Sequence, residues 1–126
     1  MEELKEVYHL IIQDGFYTGG SLETLIPRIT VEELYSLRID KQLIGVGFIG
    51  ILLRTPSYAD IAMIIDEKER HKGWGVLIVK ALISRCRLLN ITPTAICDVN
   101  NLTSRKTLQK SDFHLDGCIL LANFKF

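Results

Sequence analysis

The chain has 126 residues, 15 of them basic and 15 acidic, for a formal net charge of zero. That length suits a single domain, 1–126, and the 48% apolar fraction is enough for one buried core. The charge balance excludes a nucleic-acid binder that works mainly by neutralising phosphates. The longest apolar run, Leu43 to Leu53 with three glycines, is too short to cross a bilayer.

Residues 2–13 read as a helix with Leu4, Val7, Leu10 and Ile11 on one face, ended by Gly15 in a left-handed cap. Residues 14–31, rich in Gly, Ser and Thr and containing Pro27, are a substrate-facing loop or a plain connection. Leu34 to Ile39 alternates like a half-buried strand, Asp40-Lys41 makes a turn, and Leu43 to Leu53 returns as a more deeply buried strand. Tyr58 to Ile65 is apolar apart from Asp60, as expected for a sheet centre covered on both sides.

A helix is expected from Gly73 to Leu89, with Lys80, Ser84 and Arg87 as its polar stripe. Pro93 precedes a strand over 94–99. A short helix over 102–110 follows, N-capped by Asn100 or Asn101, and a last strand covers 118–124. The order predicts an α/β chain with a central mixed sheet and helices on both faces. Strands 58–65 and 94–99, joined by the long helix, should be parallel.

Cys86, Cys97 and Cys118 lie among apolar residues without a CxxC spacing and read as reduced core thiols. His9, His71 and His114 show no zinc-ligand spacing, so no metal is expected. The start Met-Glu-Glu lacks the features of a secretory signal, which makes a cytoplasmic location the expectation.

The chemistry concentrates in Ile65-Asp66-Glu67-Lys68-Glu69-Arg70-His71-Lys72-Gly73-Trp74-Gly75-Val76. A central strand ends, a charged loop follows, and two glycines open a long helix. The first backbone N–H groups of a helix lack internal partners and carry the positive end of its dipole. A diphosphate can sit there if the backbone can approach it closely. Gly73 and Gly75 remove bulk, and Arg70 and Lys72 add cations. The same glycines also suit a tight strand-to-helix loop that binds nothing. A Walker loop is absent, and a Rossmann fingerprint needs its glycines directly after the strand.

This stretch resembles the strand-end and pyrophosphate loop of the GNAT superfamily of acyl-CoA-dependent N-acyltransferases. Asn101 to Phe113 resembles that family's later motif, in the family's order and spacing. The resemblance covers residues 57–117, while 1–56 match in outline only and are short for the family. It implies acetyl-CoA as co-substrate and a small-molecule or protein amine as acceptor. Backbone groups of Met63, Ile64 and Ile65 would pair with the pantetheine arm. Main-chain N–H groups from His71 through Lys72, Gly73, Trp74 and Gly75 to Val76 would cradle the pyrophosphate, with Arg70 and Lys72 alongside. Asn101 and Ser104 would line the far side of the cofactor. Taken alone, Asn101 is a helix cap and Ser104 a solvated helix residue.

In the family an amine attacks the thioester directly, and a backbone N–H near Ile64 would stabilise the oxyanion. The family's two usual Glu positions hold Ala59 and Ile96 here, and its proton-donor Tyr position holds Leu108. Asp112 replaces the usual Gly before Phe113. Asp60 and Asp98 remain as candidate bases acting through water, or as plain solvated carboxylates. Three functions follow: an N-acetyltransferase acting on a primary amine, an acyl-CoA-binding domain that serves as a sensor or interaction module with little catalysis, and an interaction protein whose glycine turn binds nothing. Strand edges exposed in so short a chain point to a homodimer.

Overall fold

The computed structural model describes residues 2–13, 34–51 and 56–117. Helix α1 (Glu2–Gln13) precedes strands β1 (Leu34–Ile39), β2 (Gln42–Ile51) and β3 (Tyr58–Ile65). A 3-10 turn (Glu67–Glu69), helix α2 (Trp74–Leu88), strand β4 (Thr92–Thr94) and helix α3 (Leu102–Lys110) follow. The sheet order is β1-β2-β3-β4, antiparallel except for the parallel β3–β4 pair. The architecture is the expected mixed sheet with helices on both faces. The loop read over 14–31 and the strand read over 118–124 lie outside the described residues.

Strand alternation divides the core in two. On one face Val7 and Leu10 of α1 pack on Val46, Phe48 and Ile64. On the other, Ile78, Val79, Leu82 and Cys86 of α2 pack on Ile49, Ala59, Ile61 and Ile65. Each such aliphatic side chain contributes ~1.5–3 kcal/mol on burial. Lys80, Ser84 and Arg87 form the exposed stripe that their spacing predicted.

The glycines of β2 allow α2 to lie close. A Cβ on Gly47 would come within 2.9 Å of Ile78 Cγ2 and 3.0 Å of Leu82 Cδ1, and one on Gly45 within 2.6 Å of the Ile64 carbonyl oxygen. The β1–β2 hairpin turns through Asp40 and Lys41, both left-handed (φ 49° and 69°), as a two-residue loop of primed type requires. Arg38 ties that hairpin to α1: its Nη1 donates to Glu6 Oε2 at 2.7 Å and to the Lys41 carbonyl at 3.2 Å.

Helix α2 starts one residue later than expected, at Trp74, with Gly73 as its N-cap. It ends in a left-handed Asn90 (φ 57°), with Asn90 N donating to Arg87 O and Ile91 N to Cys86 O. That pair of hydrogen bonds closes the helix and aims the chain back to the sheet.

The strand expected over 94–99 is corrected: β4 covers only Thr92–Thr94, and 95–98 is irregular. Pro93 offers no N–H to a ladder. Beyond it, Asp98 starts a turn, its Oδ1 accepting from Asn100 N at 2.8 Å and its carbonyl from Asn101 N at 3.0 Å. Among the described residues no helix is long and apolar enough to cross a membrane.

Candidate functional site

The short β4 opens the sheet. β3 and β4 pair only at Tyr58↔Thr92, Ala59↔Pro93 and Asp60↔Thr94. From Ile61 to Ile65 no strand lies on that edge of β3 among the described residues. Which backbone groups face the opening follows from two hydrogen bonds. Asp66 N donates to Ile44 O on the β2 side, and Thr92 N donates to Ser57 O on the β4 side. Strand groups alternate, so Ile61, Met63 and Ile65 direct their N–H and C=O to the open edge, and Ile64 directs its own toward β2. Ile61, not singled out from sequence, shares the direction of Met63 and Ile65, because the phase of the amides is set by register with β2.

The open edge runs into the loop. Asp66 caps the 3-10 turn, its Oδ1 accepting from Lys68 N at 3.1 Å. Arg70 Nε donates to the Ile65 carbonyl at 3.2 Å, fastening the loop to the end of β3. Lys72 Nζ meets Glu69 Oε2 at 3.0 Å, so this cation stands in an ion pair. His71 (φ 64°) and Gly73 (φ 86°) are both left-handed. Left-handed residues in such a loop turn successive amides toward one point, the way backbone nests hold anions.

The first α2 amide with a helical partner is Leu77, bonded to Gly73 O at 3.3 Å. Those of Trp74, Gly75 and Val76 precede it, and no side chain caps this end.

The two glycines do different work. A Cβ on Gly73 would meet nothing within 4 Å, so its role is conformational and it faces open space. A Cβ on Gly75 would lie 3.2 Å from Thr107 Cγ2 and 3.4 Å from Met63 Cε. Gly75 thus lets α2, α3 and β3 meet, and its lack of bulk does not serve the loop's open side as the sequence suggested.

Asn101 caps α3, with Oδ1 accepting from Ser104 N at 3.1 Å. Asn101 is exposed and Ser104 half-buried. Leu108 packs against the α2-side core with Phe113. Asp112 (φ 70°) takes the left-handed turn after α3, which explains why a Gly fits that position.

The two candidate carboxylates differ. Asp98 is exposed and holds the Asn100 amide in a turn. Asp60 is half-buried, belongs to the last paired position of β3 and β4, and accepts a hydrogen bond from Thr94 Oγ1. Thr94 gave no signal in the sequence, because the register of a parallel pair across a helix is not a local property.

The model of the acetyltransferase (GNAT) family matches residues 6–113. The chain belongs to that family. A search of curated protein sequences finds no match. Among solved structures, AAC(6')-Ib in complex with Parmomycin and acetyl-CoA is similar with a TM-score of 0.74 and 17% identity, over 94% of this chain and 81% of that one. An aminoglycoside acetyltransferase from an uncultured soil metagenomic sample, in complex with trehalose, gives 0.75 and 9%, over 99% and 89%. A GNAT acetyltransferase from Colwellia psychrerythraea gives 0.71 and 17%, and there the chain covers 85% of itself but only 42% of the other. At these identities the likeness is one of fold.

The open edge of β3 thus leads, through the loop, to the amides that start α2.

Proposed function

We propose that this GNAT chain transfers an acetyl group from acetyl-CoA to a primary amine by direct attack. The observation that carries the reading is the junction of two sets of open backbone groups, the β3 edge at Ile61, Met63 and the Ile65 N–H and the α2 amides at Trp74, Gly75 and Val76. The edge groups would hold the pantetheine arm. The amides from His71 to Val76 would hold the pyrophosphate beside Arg70 and Lys72, and Asn101 and Ser104 would line the far side. Hydrogen bonds to charged oxygens contribute ~1.5–3 kcal/mol each, against ~0.3–2 kcal/mol for the helix dipole, so the amides dominate.

Acetyl-CoA supplies the activated acyl thioester. The protein must then orient it, polarise its carbonyl and take a proton from the amine. The N–H groups of the open β3 edge are the donors for the carbonyl. An alkylammonium of pKa ~10.4 is only ~0.04% neutral at pH 7, so a base is needed. Asp60 takes that role in preference to Asp98, because it sits where the strands part and its carboxylate is held.

A second reading, an acyl-CoA-binding module without transfer, is favoured by Leu108, whose packing against the core leaves the family's proton-donor position without a polar group. Calorimetry with acetyl-CoA, followed by release of free thiol over a panel of spermidine, tyramine, an aminoglycoside and lysine-containing peptides, separates the two. Binding with thiol release supports transfer. Binding without release from any amine supports the second reading, and no binding at millimolar ligand overturns both.

A further inference from the structure

We infer that Thr94 is a positioning residue that fixes the Asp60 carboxylate at the point where β3 and β4 part; this rests on the transfer reading above. Thr94 is the last residue of β4 and the cross-strand partner of Asp60. Side chains of paired residues share a face, so the two meet without strain on the backbone. Thr94 Oγ1 donates to Asp60 Oδ1 and also lies 3.2 Å from the Ala59 carbonyl. Both residues are half-buried.

Threonine is suited to this task because its branched Cβ restricts χ1 and so fixes the direction of the hydroxyl. A bond to an ionised carboxylate is charge-assisted and stronger than a neutral one. A carboxylate has about four lone-pair sites, and one threonine donor leaves the others able to accept a proton. No other hydrogen bond to the Asp60 carboxylate occurs among the described residues.

The opposite neighbour of Asp60 on β2 is Gly50, which has no side chain to compete for the carboxylate. Asp98 has no comparable support, since its Oδ1 is committed to a turn amide. The structure thus builds one oriented carboxylate at the mouth of the gap, and β4 extends just far enough to supply its holder.

The test is a mutant cycle with a structural readout. Thr94→Val keeps the shape and removes the hydroxyl, while Thr94→Ser keeps the hydroxyl. With acetyl-CoA and the panel amine that turns over fastest, Thr94→Val should lower kcat about tenfold or more. Its calorimetric affinity for acetyl-CoA should stay unchanged, and Thr94→Ser should stay within about threefold of the native kcat. In an Asp60→Asn background, itself slower by roughly a hundredfold or more, Thr94→Val should have no further effect.

Crystal structures of the Thr94→Val and Thr94→Ser proteins give the independent readout. Asp60 should leave its native rotamer in the first and keep it in the second. Equal losses from Thr94→Val in both backgrounds, or an unmoved Asp60, overturn the inference. Failure of the native protein to release thiol would instead refute the transfer reading, and the Asp60 rotamer would still decide whether Thr94 holds the carboxylate.

Discussion

Substitutions at Gly73 separate the ligand-binding role proposed for the loop from its folding role. Gly73 has φ 86° and a Cβ there would touch nothing within 4 Å. Gly73→Ala therefore incurs only the left-handed backbone cost, ~1–2 kcal/mol. For a domain of this size that lowers Tm by roughly 3–8 °C.

Gly73→Glu carries the same backbone cost and adds a carboxylate in the open space beside the α2 amides. A carboxylate about 7 Å from a phosphate costs ~1 kcal/mol per phosphate charge at an effective dielectric of about 40. Two such charges weaken binding by ~2 kcal/mol, roughly thirtyfold in Kd. The two variants should melt together, and calorimetry should find acetyl-CoA bound roughly thirtyfold more weakly by the Glu protein than by the Ala protein. Affinities within about threefold of each other, at equal Tm, would refute the placement of phosphates over these amides.

Three further outcomes follow from the packing. Gly45→Ala puts a methyl 2.6 Å from the Ile64 carbonyl and 2.8 Å from Ile65 Cδ1. It should destabilise the fold by about 1–3 kcal/mol in urea titration, since backbone cannot rotate away. Asn101→Ala should cost about 1 kcal/mol through the lost cap. Asn101→Asp keeps an oxygen for Ser104 N and so keeps the Tm, while its charge should weaken acetyl-CoA binding several-fold by calorimetry if Asn101 lines the cofactor; unchanged affinity would leave it a cap alone. Burial raises the Cys86 thiol above its ordinary value. Its folded pKa exceeds the unfolded one, so its contribution to stability is full below about pH 8.5 and is lost as pH rises through the folded value. Disulfide reagents with peptide mapping should find Cys86 unlabelled in native protein at pH 8 and labelled once it unfolds.

Most elements were legible because their signals are local. The Asp40-Lys41 turn, the α2 polar stripe and the Asn101 cap depend on residues within about two helical turns of each other. The 94–99 strand misled because Thr94, Ile96 and Val99 are β-branched and Ala95 and Cys97 are apolar, whereas the pairing stops at Thr94 and the chain turns at Asp98. Gly45 and Gly47 read as ordinary strand glycines until α2 lay on them. The loop was legible as a phosphate-binding candidate, but the distinct duties of Gly73 and Gly75 needed the third dimension. The same holds for the Arg70–Ile65 tie, the Lys72–Glu69 pair and the Asp60–Thr94 contact, all of which depend on how the loop folds or on strand register.

Binding and proton transfer place different demands on the sequence. A cradle of backbone amides needs few particular side chains, so it sets few demands on which residues stand in the loop. Proton transfer needs named side chains, and the positions that carry them in the family hold Ala59, Ile96 and Leu108 here. Leu108 is packed against the core, so no acid stands at that position to protonate the departing thiolate. A thiol of pKa near ~8.5 leaves as the thiolate without a proton from the protein. The rate should then follow the amine and its base alone. kcat should climb with pH to a plateau and show no descending limb up to about pH 9.5, where an enzyme with a positioned acid turns over. A descending limb in that range that persists in Leu108→Met, with the protein still folded by circular dichroism, would show that another residue supplies the proton.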